Sequence, residues 1–176
     1  TIVSERYTYV PYIGLAFLLG MLMNEHRNKK MLGWVVLMLV TIVFGIVTFQ
    51  RTQVWKDSET LWTDVIKVYP AAPVPRTNRS NVYTTRLENP AYASEATSLM
   101  QKAIEDCNVA LKADPRHARG YEDRGIIYLR MNRNEDALAD GKSLVRIAPG
   151  NKLGYSIRGS AYFNLNEPEK ALADFT

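Results

Sequence analysis

Cysteine is nearly absent from this sequence, and the one present, Cys107, has no mate in the chain. An intrachain disulfide and a CxxC metal or redox motif are therefore excluded. Histidine is as scarce: His26 and His117 lie far apart, and neither has ligand spacing with a cysteine or a carboxylate, so no metal site is expected. No glycine-rich loop is placed to cradle a phosphate, and no nucleophile–base constellation is visible. Catalytic and cofactor-binding residues are accordingly expected to be none within these 176 residues. Charge of one sign is also lean. The 22 Lys/Arg and 18 Asp/Glu leave +4, divided equally between residues 1–50 and the remainder. With no Lys/Arg stripe and no recognised motif, no nucleic-acid partner is expected.

What the chain does have begins with apolar length. Leu32 to Phe49 (LGWVVLMLVTIVFGIVTF) holds 18 residues without a charge. As a helix it covers roughly 27 Å, near the hydrocarbon thickness of a bilayer, and it is apolar on every side, unlike an amphipathic surface helix. Tyr7 to Met23 is a second, weaker span. Arg6, Tyr7 and Tyr9 at its start are placed for the headgroup level. Between the spans, the loop 24–30 carries Arg27, Lys29 and Lys30, so it is expected to be cytoplasmic. The chain after Gln50 then falls on the non-cytoplasmic side, periplasmic or lumenal. The first span lacks a basic n-region and a cleavage-like site, which argues against a signal peptide. A lipid bilayer is the first expected partner.

The rest of the chain repeats itself. Tyr121, Gly125, Tyr128, Ala137, Leu138 and Asp140 are answered 34 positions later by Tyr155, Gly159, Tyr162, Ala171, Leu172 and Asp174. A period of that length is the mark of a helix–turn–helix solenoid. Gly125 and Ala137 let a neighbouring helix come close, Tyr121 and Tyr128 lie on one helical face, and Pro149 stops the second helix. One unit cannot bury its own apolar face and needs stacked neighbours. Backward extension of the step pairs Ala137 with Ala103 and Pro149 with Pro115. This predicts helices over 76–87 and 100–113, with Cys107 facing inward and an inserted loop over 88–99. The stretch 54–69 reads as a connector helix closed by Pro70. Its Trp55 and Trp62 have two readings, against the next repeat or at the membrane interface. Asn78-Arg79-Ser80 is formally a glycosylation acceptor, but it falls inside a predicted helix.

These motifs resemble the tetratricopeptide repeat (TPR): Tyr121-x3-Gly125-x2-Tyr128, then Ala137 and Pro149, with the Gly159 copy behind. Gly141 stands where that family usually has a large residue, which predicts loose packing there; Phe175 restores it in the next copy. The resulting expectation is all-α. A transmembrane hairpin over 1–50 and a connector over 51–72 precede repeats over 73–117 and 118–151, and a partial one over 152–176. The chain reads as a piece of a longer protein.

The resemblance implies a protein or peptide ligand in a groove lined by the first helices. The groove candidates are Thr77, Asn81 and Thr84, then Arg119, Glu122, Ile126 and Arg130, then Ser156, Ser160, Phe163 and Asn164. The clamp that some TPR proteins use for a C-terminal carboxylate needs Lys where Thr77 stands, which speaks against that use. A further resemblance rests on Glu5-Arg6-Tyr7-x-Tyr9-x-Pro11-x2-Gly14 and on Arg51-x3-Trp55-x-Asp57-x4-Trp62. It resembles the end of the membrane domain in polytopic C-type glycosyltransferases that carry C-terminal TPRs, of the O-mannosyltransferase type. What it implies is a lipid-phosphate-sugar donor, catalysis upstream of this stretch and on the non-cytoplasmic side, and repeats that hold the protein acceptor. The alternative is a non-catalytic membrane-anchored TPR adaptor.

Overall fold

The computed structural model describes Gly20, Met21 and residues 30–176. Apart from Gly20 and Met21, the first expected span thus lies outside the described residues, as do Arg6, Tyr7, Tyr9 and the loop before Lys30. No strand occurs among those described. Two compact units divide at Gln53 and Val54.

In the first unit, α1 (Lys30–Gln53) runs for 24 residues, about 36 Å at 1.5 Å per residue. It extends beyond the expected Leu32 to Phe49 at both ends, since no proline or cap residue interrupts it. Within Gly33–Gln53 an 18-residue window has a mean hydropathy of 2.1, and none of that window is buried. The one polar group in the middle is satisfied locally, the Thr41 hydroxyl donating to the Leu37 carbonyl at 2.9 Å.

The second unit strings seven helices in order: α2 (Ser58–Val68), α3 (Pro73–Arg86), α4 (Ala96–Ala113), α5 (Ala118–Arg130), α6 (Asn134–Ile147), α7 (Lys152–Asn164) and α8 (Pro168–Phe175). Consecutive helices pack on one another, and α5 also touches both α3 and α7. The first helices of successive units therefore form one row. A single core of Tyr83, Leu99, Ile104, Ile127, Tyr128, Leu144 and Ile157 runs through the stack. Each fully buried aliphatic side chain there contributes about 1.5–3 kcal/mol of transfer free energy.

Several boundaries differ from the sequence reading, each for a local reason. α2 starts at Ser58 instead of Val54 because Asp57 caps it, accepting the Thr60 amide at 2.8 Å in a capping box. α3 starts at Pro73, ahead of the expected start at Arg76, since prolines are well suited to a first helical turn. The expected loop 88–99 is mostly ordered: Pro90–Glu95 is a 3-10 helix and Ala96 already opens α4. Leu99, at its end, is 2% exposed in the core, and Tyr92 packs on that core under the Arg86 guanidinium.

The turns inside the second and third units are built alike. Asn132 (φ 56°) and Asn166 (φ 62°) occupy the left-handed region, which asparagine tolerates better than most residues. The Arg133 amide reaches back to the Tyr128 carbonyl and that of Glu167 to Tyr162, both at 2.9 Å. This closes a Schellman-type cap in each unit. Ala137 and Cys107 are fully buried as expected. Gly141 is not a loose contact. A Cβ there would lie 2.9–3.0 Å from the Arg158 backbone, so the missing side chain lets α6 approach the α7 main chain directly. Ser80 is fully buried inside α3, which removes the acceptor at Asn78 from any modifying enzyme in the folded chain.

Candidate binding groove

The row formed by α3, α5 and α7 carries the expected groove residues, but the structure sorts them into three sets. One set is spent on the scaffold. Thr77 is 3% exposed; its hydroxyl donates to the Pro73 and Val74 carbonyls and lies 3.3 Å from His117 Nε2. Glu122 accepts from the Asn151 amide. Asn164 donates to Asn134 Oδ1 at 2.9 Å. These three hold neighbouring elements together.

A second set stands on α7. Phe163 is 66% exposed, Ser156 is exposed and Ser160 half-buried. They form a continuous polar-and-aromatic face.

The third set converges. Asn81 and Thr84 from α3, and Arg119, Ile126 and Arg130 from α5, enclose a pocket of about 170 Å³ with Thr85, Glu88 and Asp123. Asp123 is the residue the sequence did not single out. It is 8% exposed, and its Oδ1 accepts from Arg119 Nε at 2.8 Å. Its Oδ2 is buried without a hydrogen-bond partner among the described residues. Burial pushes this carboxyl up to about 6, against the opposing pull of Arg119. Arg119 in turn is raised by the Asp123 charge; its side chain is 52% exposed.

Behind the groove, three ion pairs recur with the repeat. Arg79, Arg124 and Arg158 each grip a buried carboxylate with Nε and Nη2: Asp106 at 2.7 and 2.8 Å, Asp140 at 2.9 and 2.6 Å, and Asp174 through Nε at 2.8 Å and a second short bond. Arg76 adds a third contact to Asp106 at 2.8 Å. Each pair ties the first helix of a unit to its second with the planar fork that arginine alone supplies. Asp140 and Asp174 stood out in the sequence as a repeated position, whereas their arginines did not. Arg124 and Arg158 keep the 34-residue step, but Arg79 is displaced from it by the insertion after α3. Cys107 is inert: burial lifts its thiol to about 12, and Sγ sits 3.3 Å from Ser80 Oγ.

Among the described residues no cluster of His, Cys, Asp or Glu has the makings of a metal site. No family model matches the chain. Over 141 residues it is 28% identical to Protein O-mannosyl-transferase TMTC3 of Mus musculus, across 78% of this chain and 14% of that protein. The chain therefore spans about a seventh of that curated relative's length. Among solved structures, a thermophilic TPR protein of Thermus thermophilus matches with TM-score 0.59 at 16% identity, over 97% of this chain and 83% of that one. The helix order, the 34-residue step and this likeness together give the fold: the chain carries a tetratricopeptide-repeat solenoid.

Proposed function

We propose that this chain is the acceptor-holding part of an integral membrane glycosyltransferase of the O-mannosyltransferase type. Its repeats bind a protein acceptor through an extended peptide laid across α3, α5 and α7. The observation that carries this reading is the extent of the similarity to the mouse mannosyl-transferase. It covers 78% of the chain, more residues than lie between Val54 and Thr176, so it includes part of the apolar segment as well as the repeats. A relation to the repeats alone would not reach that far.

The geometry supports the binding half of the reading. Asn81, Thr84, Arg119, Ile126 and Arg130 stand together around one pocket, and Ser156, Ser160 and Phe163 continue the face on α7. The charges of the loop 24–30 favour a cytoplasmic position for it, with the repeats on the periplasmic or lumenal side, where a lipid-linked sugar donor is used. Arg6, Tyr7, Tyr9 and Trp55 serve as interfacial anchors in this arrangement; Trp55 is 59% exposed.

The test uses the full-length parent in membrane vesicles. Replacing Asn81, Arg119 and Arg130 together by alanine should raise the KM for a protein acceptor about tenfold while leaving kcat and the KM for the lipid-linked donor in place. Unchanged acceptor kinetics would remove the recruitment role. A parent that transfers no sugar, yet whose repeats still capture partner proteins, would make the chain an adaptor instead. For sidedness, protease added to the cytoplasmic face of sealed vesicles should spare the repeats, and digestion of them there would reverse the topology.

A further inference from the structure

The turns that join one repeat to the next carry a chemistry of their own, separate from the groove. We propose that the edge they form is a docking surface for an anionic phospholipid bilayer, a second membrane contact beside α1.

Three observations carry it. First, these turns share one edge. Arg76, near the start of α3, donates from Nε and Nη2 to the Pro70 carbonyl at 3.0 and 2.8 Å. Thr77 beside it meets His117 at 3.3 Å, and Glu122 on α5 is bound by Asn151. The turns before α3, α5 and α7 are thus linked in succession through the first turns of α3 and α5. Second, this edge is one-sided in charge. Residues 67–74, 112–117 and 146–152 hold Lys67, Lys112, Arg116, Arg146 and Lys152 against one carboxylate, Asp114, and all five cations are exposed. The opposite edge, residues 86–97, 130–136 and 164–170, holds four cations and six carboxylates, so only the first suits an anionic surface. Helix ends do not account for the excess. Lys67, Lys112 and Arg146 sit in last turns, where the dipole favours a cation, but Lys152 opens α7, where it does not. Third, the same edge includes an apolar corner. Val68, Tyr69 and Val74 are each at least 55% exposed, and Lys67 precedes them in the chain. Exposed apolar and aromatic side chains with flanking cations are the combination that holds a protein on a lipid surface. An acidic protein would match the charges and leave the corner in water.

The chain also limits how far this edge can stray from a bilayer. Val54–Asp57 spans at most about 14 Å when extended, and α2, with 11 residues, adds about 16 Å. A weak surface affinity is enough on so short a tether, because the second contact is intramolecular. The inference rests on the membrane half of the reading above and not on the groove.

The experiment uses the full chain in lipid nanodiscs of phosphatidylcholine, alone or mixed with phosphatidylglycerol, with a nitroxide-bearing lipid as quencher. Val68→Cys and, on the opposite edge, Glu135→Cys each take an environment-sensitive fluorophore; Cys107 stays unlabelled because it is buried. In the anionic discs the label at Val68 should be blue-shifted and quenched, and the label at Glu135 neither. Most of the effect should be lost in neutral discs, at high salt, and when Lys112, Arg116, Arg146 and Lys152 are together replaced by glutamate. Those four positions are exposed, so circular dichroism of that variant should keep the parent's helix content, and the salt series on the parent tests the same charges without any substitution. Quenching at Val68 that is equal in neutral and anionic discs, that survives high salt, or that is matched at Glu135 overturns the proposal. A parent that binds soluble polyglutamate while its Val68 label stays in water makes the partner an acidic protein, and overturns it too. A chain retained by the discs with that label in water removes the docking edge alone, whereas a chain that leaves the discs removes the membrane reading with it.

Discussion

At the scale of the single residue, the absence of a side chain at Gly141 is as consequential as the presence of one elsewhere. A methyl group there would sit 2.9 Å from the Arg158 amide nitrogen, and a main chain cannot swing aside as a flexible side chain does. Gly141→Ala is therefore expected to cost about 1–3 kcal/mol, seen as a lower circular-dichroism melting temperature. Gly125 is a milder case. Its added Cβ would meet Ile157 Cγ2 at 3.0 Å, so alanine is expected to be better tolerated than leucine, which overpacks the contact. A melt in which Gly141→Ala matches the parent would mean that α6 and α7 do not approach so closely. Asp123 supplies a prediction in pH. Its folded carboxyl lies at about 6, above the ordinary value, so the folded state binds the proton more tightly than the unfolded one. The stability it lends is complete below about pH 4 and is lost as pH rises through about 6. The loss across that range is about 3 kcal/mol. Asp123→Asn should flatten that part of the stability–pH curve, measured by denaturant unfolding between pH 4 and 7. Parallel curves for the two proteins would contradict the burial argument.

At the scale of the element, the ion pairs hold each unit's two helices at a fixed setting. Asp140 has a side chain 4% exposed, against 19% for Arg124; burial raises the Asp140 carboxyl while Arg124 opposes that rise. Removing Arg124 alone leaves a buried carboxylate without its fork, so Arg124→Ala is expected to destabilise by about 3 kcal/mol or more. Asp140→Ala on top should recover part of that loss, and the double-mutant cycle measures the coupling. Additive losses would show that the pair is incidental to the packing. This element also marks what a sequence discloses. The small and aromatic positions of α5 to α8 were legible because close approach admits few residue types, so they recur visibly at 34. The Arg–Asp fork was half legible: Asp140 and Asp174 kept the step, but the insertion displaced Arg79 from it, and a charged residue read alone looks like a solvated face. Asp123 was not legible at all. Its pocket joins residues 81 and 119, and only the packing of α5 on α3 makes them neighbours. Thr77 was misplaced for the converse reason, since helical spacing puts it near the groove while its hydroxyl turns to its own backbone. The insertion was read by length alone, whereas Leu99 commits its end to the core.

At the scale of the whole molecule, two kinds of surface coexist and call for different solvents. The repeat unit buries its apolar side chains among its own helices. In α1, by contrast, Trp34, Met38, Leu39, Val43, Phe44, Ile46 and Phe49 are all exposed, each by 51% or more. An apolar surface of this kind is not stable against water in an isolated chain and marks contact with lipid or protein. A helix of about 36 Å, with a mean hydropathy of 2.1 over an 18-residue window within Gly33–Gln53, has the length for a bilayer with some tilt. The expected outcome is that the chain stays with the membrane pellet after alkaline carbonate extraction. Val43→Arg places a charge at mid-helix, where insertion is disfavoured by about 2.5–3.5 kcal/mol, and should release a large fraction to the supernatant. The repeats provide the internal control, because circular dichroism of the released variant should still show their melting transition. If the parent and Val43→Arg both remain soluble and monodisperse without detergent, α1 is a buried element of a larger assembly.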